Sequence, residues 1–275
     1  DDEGNGDIFQ SILKGNDWTK SEKLPSTINS NGHESSASIS PDGNTLYFVS
    51  DRKEGFGKRD IWYSRKDKNH QWGQAINLGS SINTKEDEEG VFIHPDGKTL
   101  YFSSKGHQSI GGYDIYYSTF VKDHWSSPQN LGTAINTIGD DVFLVITADG
   151  TTGYYSSNKA GGIGEQDIYQ IKPVPVKKDN KPKLTLFTGI VIDKETRVPL
   201  ESDIVIMDNQ KNEIISTIKS NSATGKFLIS LPSGKNYGIS VKKDGYLFYS
   251  DNVSIADTSA YKEIAKTVPL EKRLF

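Results

Sequence analysis

Cysteine is absent from the 275 residues, which excludes disulfides and thiolate metal sites and fits oxidising and reducing compartments equally. No apolar run approaches the ~20 residues of a membrane-spanning helix. Residues 1–10 are acidic and polar and do not read as a secretory leader. An excess of positive charge is also missing: 32 Lys and Arg against 36 Asp and Glu give a net charge of −4, so nothing argues for nucleic acid or an anionic membrane as partner. No helical period competes anywhere in residues 1–171. The Gly-x-Ser-x-Gly elbow of serine hydrolases and the His-Glu-x-x-His zinc motif do not occur. The five histidines lack metal-ligand spacing and read as surface residues, most of them in loops. Ala223-Thr224-Gly225-Lys226 has the tail of a phosphate-binding loop but opens a strand, and Gly161–Asp167 is a single glycine/aspartate run without tandem copies. No cofactor and no metal are expected.

What the chain does contain is repetition. Ser40-Pro41-Asp42-Gly43-Asn44-Thr45-Leu46-Tyr47-Phe48 returns as His94-Pro95-Asp96-Gly97-Lys98-Thr99-Leu100-Tyr101-Phe102, and in worn form as Thr147-Ala148-Asp149-Gly150-Thr151-Thr152-Gly153-Tyr154-Tyr155. The turn aspartates lie 54 and 53 residues apart. Asp-Ile-aromatic triplets (Asp60-Ile61-Trp62, Asp114-Ile115-Tyr116, Asp167-Ile168-Tyr169), tryptophans (Trp18, Trp72, Trp125) and Ile-Asn pairs (Ile28-Asn29, Ile82-Asn83, Ile135-Asn136) keep the same step. An Asp-Gly pair between runs of β-formers is a strong hairpin signal. Each unit reads as four strands joined by short turns, which cannot bury both faces alone and must stack on its neighbours, as the blades of a β-propeller do. The third copy, with Ala148 for proline and Gly153 for leucine, is expected to form a looser hairpin. Asp60, Asp114 and Asp167 follow glycine-bearing loops and are expected to accept loop backbone N–H groups.

The phrases SPDGNTLYFVSDR, HPDGKTLYFSSKG and GGYDIYYS resemble the PD40 repeats of TolB-type propellers. With W…P…NLG…IN between units, they resemble the Bacteroidetes OmpA-like family that includes PorE-like lipoproteins of the type IX secretion system. Only three turn hairpins are present, and residues 7–29 match the last two strands of a unit. The ring is therefore expected to be partial. The favoured reading is a piece of a longer protein; the other is a dimer in which two partial rings close.

A run with three prolines and five lysines, 172–183, reads as a linker. Beyond it, 184–270 is expected to be a second all-β domain, with strands at 184–193, 204–208, 214–220, 226–231, 237–242 and 251–255. TGIVIDKETRVPL…SATGKFLISLPSGKNYGISVKKDGYLF resembles the carboxypeptidase-regulatory-like, prealbumin-like β-sandwich, an accessory module. The fold class is thus all-β, a partial propeller in 1–171 followed by that sandwich.

Glu34, Glu88 and Asp141 each sit eight residues before a turn aspartate. They could ring one channel mouth and hold a cation or a basic partner group, but the commoner role is to cap a loop or to pair with Arg52 or Lys105. The loops after the second strand, carrying Arg52, Phe56, Lys105 and Asn158, together with the loops between units, are the expected partner surface. Replacing Arg52 and Phe56 together is expected to weaken partner binding and spare the fold. The resemblance implies a periplasmic, outer-membrane-associated scaffold that binds envelope or secretion-system proteins and reaches peptidoglycan only through a C-terminal domain absent from this chain. The alternative is a carbohydrate-active or glycan-binding propeller with its site at the channel mouth.

Overall fold

A computed structural model describes residues 6–172, 183–257 and 260–273. Every regular element among them is a β-strand, and no helix long and apolar enough to cross a membrane is present among them. The chain divides into two compact units, Asp1–Gln10 with Lys23–Asn180, and Ser11–Glu22 with Lys181–Phe275. The predicted linker lies almost wholly outside the described residues.

Strands β1 (Phe9–Gln10) and β4 (Glu22–Lys23) pair with each other. Between them, β2 (Leu13–Lys14) and β3 (Asp17–Trp18) form a hairpin whose residues group with the second unit. Three meanders follow. The first is β5 (Glu34–Ile39), β6 (Thr45–Ser50), β7 (Asp60–Arg65) and β8 (Ile76–Asn77), in that order. The second is β9 (Glu88–Ile93), β10 (Thr99–Ser104) and β11 (Asp114–Val121), with β12 (His124–Trp125) and β13 (Gln129–Asn130) both on β11. The third has three strands: β14 (Asp141–Ile146), β15 (Gly153–Ser157) and β16 (Asp167–Ile171). No sheet closes on itself among the described residues.

The Asp-Gly turns behave alike in all three copies. Gly43, Gly97 and Gly150 take φ of 71°, 67° and 70°, a region open to glycine at no steric cost. Each donates its N–H to the carbonyl three residues back, at 2.8, 2.9 and 2.8 Å. The third hairpin is therefore closed as tightly as the others, contrary to the looser turn predicted. The bond needs only the glycine and the turn carboxylate, and Asp149 supplies that carboxylate by accepting from Thr151 N at 3.0 Å.

Apolar residues on opposite faces of successive meanders fill the spaces between them. Val49 and Ile61 of the first meet Val91, Ile93, Leu100 and Phe102 of the second in one cluster. Tyr101, Ile115 and Tyr117 on the other face of the second meet Leu144, Ile146 and Tyr155 of the third. His94 joins this packing. It is buried, contrary to a surface role, because its Nε2 reaches Thr147 O at 3.2 Å while its Nδ1 accepts from Asp96 N at 3.1 Å.

The first strand of each meander carries a β-bulge at the same phase. Ser36, Gly90 and Phe143 have φ of 39°, 61° and 58°, and the register slips beside each. A bulge adds twist and re-aims the flanking side chains. A Cβ on Gly90 would lie 2.8 Å from Phe143 N, the backbone of the next bulge. Gly90→Ala should therefore cost about 2 kcal/mol, from left-handed strain and the clash together. Urea unfolding at neutral pH measures this; a loss below about 0.5 kcal/mol would mean the two bulges are free to move apart.

Beyond the β2–β3 hairpin, the described residues of the second unit form seven strands: β17 (Leu184–Asp193), β18 (Asp203–Asp208), β19 (Glu213–Lys219), β20 (Lys226–Pro232), β21 (Lys235–Lys242), β22 (Tyr249–Ile255) and β23 (Lys262–Leu270). They form sheets in the orders β20-β17-β23 and β19-β18-β21-β22, and side chains from both enter a single core that includes Phe187, Ile206, Tyr237 and Val268. The sequence expectation has six strands and omits β23. That strand runs parallel to β17 from Thr185↔Lys262 to Asp193↔Leu270. It shows no hydrophobic alternation until its end, because most of its length is exposed and only Val268 and Leu270 are buried. Asp193 closes the β17 end of this sheet. It accepts from Thr196 N and the Tyr246 hydroxyl, both at 2.8 Å, and these bonds hold its carboxyl well below the usual carboxylate range.

Candidate functional site

The polar residues repeated in phase form one construction, built three times. Asp60 opens β7 and accepts from the backbone N–H groups of Phe56 and Gly57. Asp114 does the same for Ile110 (2.7 Å) and Gly111, and Asp167 for Ile163 (2.8 Å) and Gly164. This is the loop-capping role expected of these aspartates.

A second layer was not legible as a unit. Asn83 Oδ1 accepts from Ile61 N at 2.8 Å, and its Nδ2 donates to Ile61 O at 2.9 Å. The amide thus satisfies both backbone groups of one residue, as a neighbouring strand would. Asn136 does this for Ile115, and Asn29 for Ile8. Asn83 also donates to Asn77 Oδ1, and Asn77 donates to Asp60, both at 2.9 Å. The Asn136–Asn130–Asp114 chain repeats this with both bonds at 2.7 Å. The phase of the Ile-Asn and Asp-Ile signals was visible in the sequence, but only the structure shows that they meet.

Glu34, Glu88 and Asp141 are buried, and each is turned into the loop that precedes its strand. Glu34 accepts from Ser30 N (2.8 Å), Ser30 Oγ (2.6 Å) and Ser50 Oγ (2.7 Å). Glu88 accepts from Thr84 N (3.0 Å), Thr84 Oγ1 (2.8 Å) and Ser104 Oγ (2.7 Å). Asp141, one methylene shorter, reaches Thr137 N and Oγ1 through Oδ2 and leaves Oδ1 without a partner. The hydrogen bonds of these carboxylates thus go to their own loops and strands, the commoner role expected of them, with Asp141 Oδ1 alone of the three groups left open. No group of three or more His, Cys, Asp or Glu able to hold a metal is found among the described residues.

The neighbours of these carboxylates differ between repeats. Arg52 lies 3.1 Å from Glu34, donates to Ile28 O and stacks over Phe48 and Trp62 at 5.2 and 4.8 Å. In the second repeat Gly106 stands at that position, and His107 Nε2 contacts Ile82 O at 2.7 Å instead. Glu88 so lacks a cation, and burial pushes its carboxyl up from 4.5 to about 7 despite three hydrogen bonds. Lys105 lies 3.7 Å from Asp87 rather than against Glu88, with its ammonium 4.4 Å from the Tyr113 ring centre. Asn158 Oδ1 accepts from Asp140 N at 2.7 Å and so supports the preceding loop, as Asp51 does by accepting from His33 N at 2.7 Å.

The two predicted loop sets do meet. Gly57 packs against the backbone of Thr84, Lys85 and Glu86, and Gly111 against that of Thr137 and Ile138, leaving no room for a Cβ at either. Lys58 and Glu86 pair across the first contact at 2.9 Å. Among the polar and charged residues that these loops expose, a large apolar side chain faces water at the same phase in each repeat, Phe56, Ile110 and Ile163, with Ile138 beside Gly111. A cleft of about 1030 Å³ lies next to the first loop, lined by His33, Asp51, Arg52, Lys53 and Glu54 among others.

No family model and no curated protein matches the sequence. Solved structures similar to the chain include a putative TolB from Agrobacterium tumefaciens, with 15% identity, TM-score 0.37, and coverage of 78% of this chain and 62% of that one. TolB from Acinetobacter baumannii gives 15% identity, TM-score 0.39 and coverage of 88% and 49%. A puromycin hydrolase gives 10% identity, TM-score 0.34 and coverage of 85% and 28%. The chain thus spans less than two thirds of the length of each of these three.

Proposed function

We propose that this chain is a non-enzymatic protein-binding module whose recognition surface is the row of apolar loop tips on the stacked meanders. One observation carries the reading. The polar residues that recur in kind are absorbed into backbone capping, while a large apolar side chain, Phe56, Ile110 or Ile163, is left exposed at one phase in every repeat. Rigidly held apolar tips suit a protein surface, where burying such side chains supplies most of the affinity. The sequence resemblance extends the proposal: the meanders are blades of a PD40-type propeller and the second unit is a carboxypeptidase-regulatory-like sandwich. The setting is the periplasm beside the outer membrane, in an assembly of the type IX secretion kind. Other envelope proteins are the partners, and peptidoglycan is reached through a domain outside this chain.

Arg52 is not a suitable probe, because it is the counter-ion of buried Glu34, and its loss would strike the fold. The test is the triple variant Phe56→Ser, Ile110→Ser, Ile163→Ser on immobilised chain challenged with solubilised envelope proteins. Capture of a defined partner should fall about tenfold or more, with the melting curve unchanged. Equal capture by the variant would sink the proposal. So would turnover of a glycan or peptide substrate by the purified chain that is lost in Glu34→Gln or Glu88→Gln.

A further inference from the structure

The repeat supplies an internal standard for which sheet faces are meant to be covered. On the face each meander turns to the next, the Asp-Ile isoleucine is 0% exposed in the first copy (Ile61) and 0% in the second (Ile115), but 80% in the third (Ile168). The same holds around it. Tyr101 is buried whereas its counterpart Tyr154 is exposed, and Val145, at the phase of Phe92, is exposed as well. Gln170 stands where the second copy has Tyr117, and donates to the Tyr154 hydroxyl at 2.7 Å.

On the opposite, receiving face the pattern reverses. Ile93 and Ile146, near the ends of β9 and β14, are 3% and 6% exposed, but Ile39 on β5 is 51% exposed. Ala37, at the phase of Val91 and Leu144, is exposed too. The outer part of this face is already filled: Ile8, Leu24 and Trp72 pack on Leu46, Phe48 and Trp62. What remains open is the strip along β5. Among the described residues β16 also lacks the outer strand that β8 and β13 provide in the earlier copies.

Among the described residues the first unit therefore carries one unpaired donor face and one unpaired acceptor face. They are of the two kinds that join twice within the chain, across β5 to β9 and β9 to β14. The geometry points to a second copy of this chain as occupant, packed head-to-tail, with Val145, Tyr154 and Ile168 of one copy against the β5 strip bearing Ala37 and Ile39 of the other. The contact continues an interface the molecule already makes, so the surfaces match in pleat, twist and bulge position without new design. A heterologous contact of this kind closes into a ring where its rotation allows, here expected after two copies, and otherwise propagates. The inference concerns different residues from the loop tips, so its failure leaves the proposed function standing.

Light scattering on the 275-residue chain at about 50 µM should give the mass of two chains. Ile168→Asp and Ile39→Asp, each at an exposed site, should weaken association about 100-fold by burying an unpaired carboxylate, with circular dichroism and melting unchanged. The two variants mixed should associate more than either alone, because one of their two contacts pairs wild-type faces. A wild-type monomer at that concentration would overturn the inference. So would a dimer indifferent to both substitutions, or a mixture no better than its components.

Discussion

Asn83→Asp should cost about 3–4 kcal/mol of stability at neutral pH, a loss out of proportion to the exchange of one amide group for one oxygen. Asn83 is buried and serves both backbone groups of Ile61 while donating to Asn77. A carboxylate keeps the acceptor for Ile61 N but turns a second acceptor toward Ile61 O, which cannot rotate away as a side-chain amide can. The diagnostic is the pH profile. Protonation restores a donor, and a carboxyl so placed binds its proton more tightly folded than unfolded, so the deficit against wild type should shrink markedly as pH falls from 7 toward about 4. Urea unfolding of both proteins at pH 7 and near pH 4 measures it. A deficit under about 1 kcal/mol at pH 7, or one that does not change with pH, would show that Asn83 is replaceable and that β7 does not depend on this side-chain bridge.

Glu88→Gln should stabilise the protein above pH 7, by up to about 3 kcal/mol. The Glu88 carboxyl is pushed up from 4.5 to about 7 by burial, so the folded state holds its proton more tightly than the unfolded chain. Its contribution is full below about pH 4.5, falls as pH rises through about 7, and is flat beyond. The substituted glutamine would be neutral at every pH. Its carbonyl can accept from Thr84 N, and its amide can donate to the Thr84 or Ser104 hydroxyl, which rotates to receive it. The readout is the difference between wild type and variant from pH 4.5 to 8, because Asp96 and Asp149, both lowered by hydrogen bonds, add stability that is lost only at more acid pH. A constant difference across this range would mean that Glu88 remains ionised when folded. Glu34 offers the contrast: the same buried position with Arg52 at 3.1 Å, where a glutamine would strand the guanidinium instead.

The comparison of these two glutamates shows how far the sequence could be read. Their common phase was plain, and so was the expectation that such a carboxylate caps a loop. That one is paired and the other is not depends on whether Arg52 or Gly106 occupies a position in space, 18 residues away along the chain. Phe56 lay within the predicted partner loops and is exposed, whereas Arg52 beside it is structural, because its stem lies over Phe48 and Trp62. Sequence adjacency gave both the same assignment, and packing separated them. His94 was misplaced for the same reason: its loop is a turn in its own repeat but abuts Thr147 of the next.

By itself, the sequence determined the features that rest on contacts within a few residues. These are the Asp-Gly hairpins, the aspartates that cap their own glycine loops, the all-β character and the 54- and 53-residue period. Their energies depend on local backbone geometry, which residue types encode directly. Tertiary structure alone decided the rest: asparagines acting as a strand's partner, a parallel β23 with little pattern of its own, and the difference between Ile115 and Ile168. The last pair share a motif and a strand position, and differ only in whether another sheet lies against them. Burial is a property of what stands opposite, and no run of residues carries that information about its own neighbour.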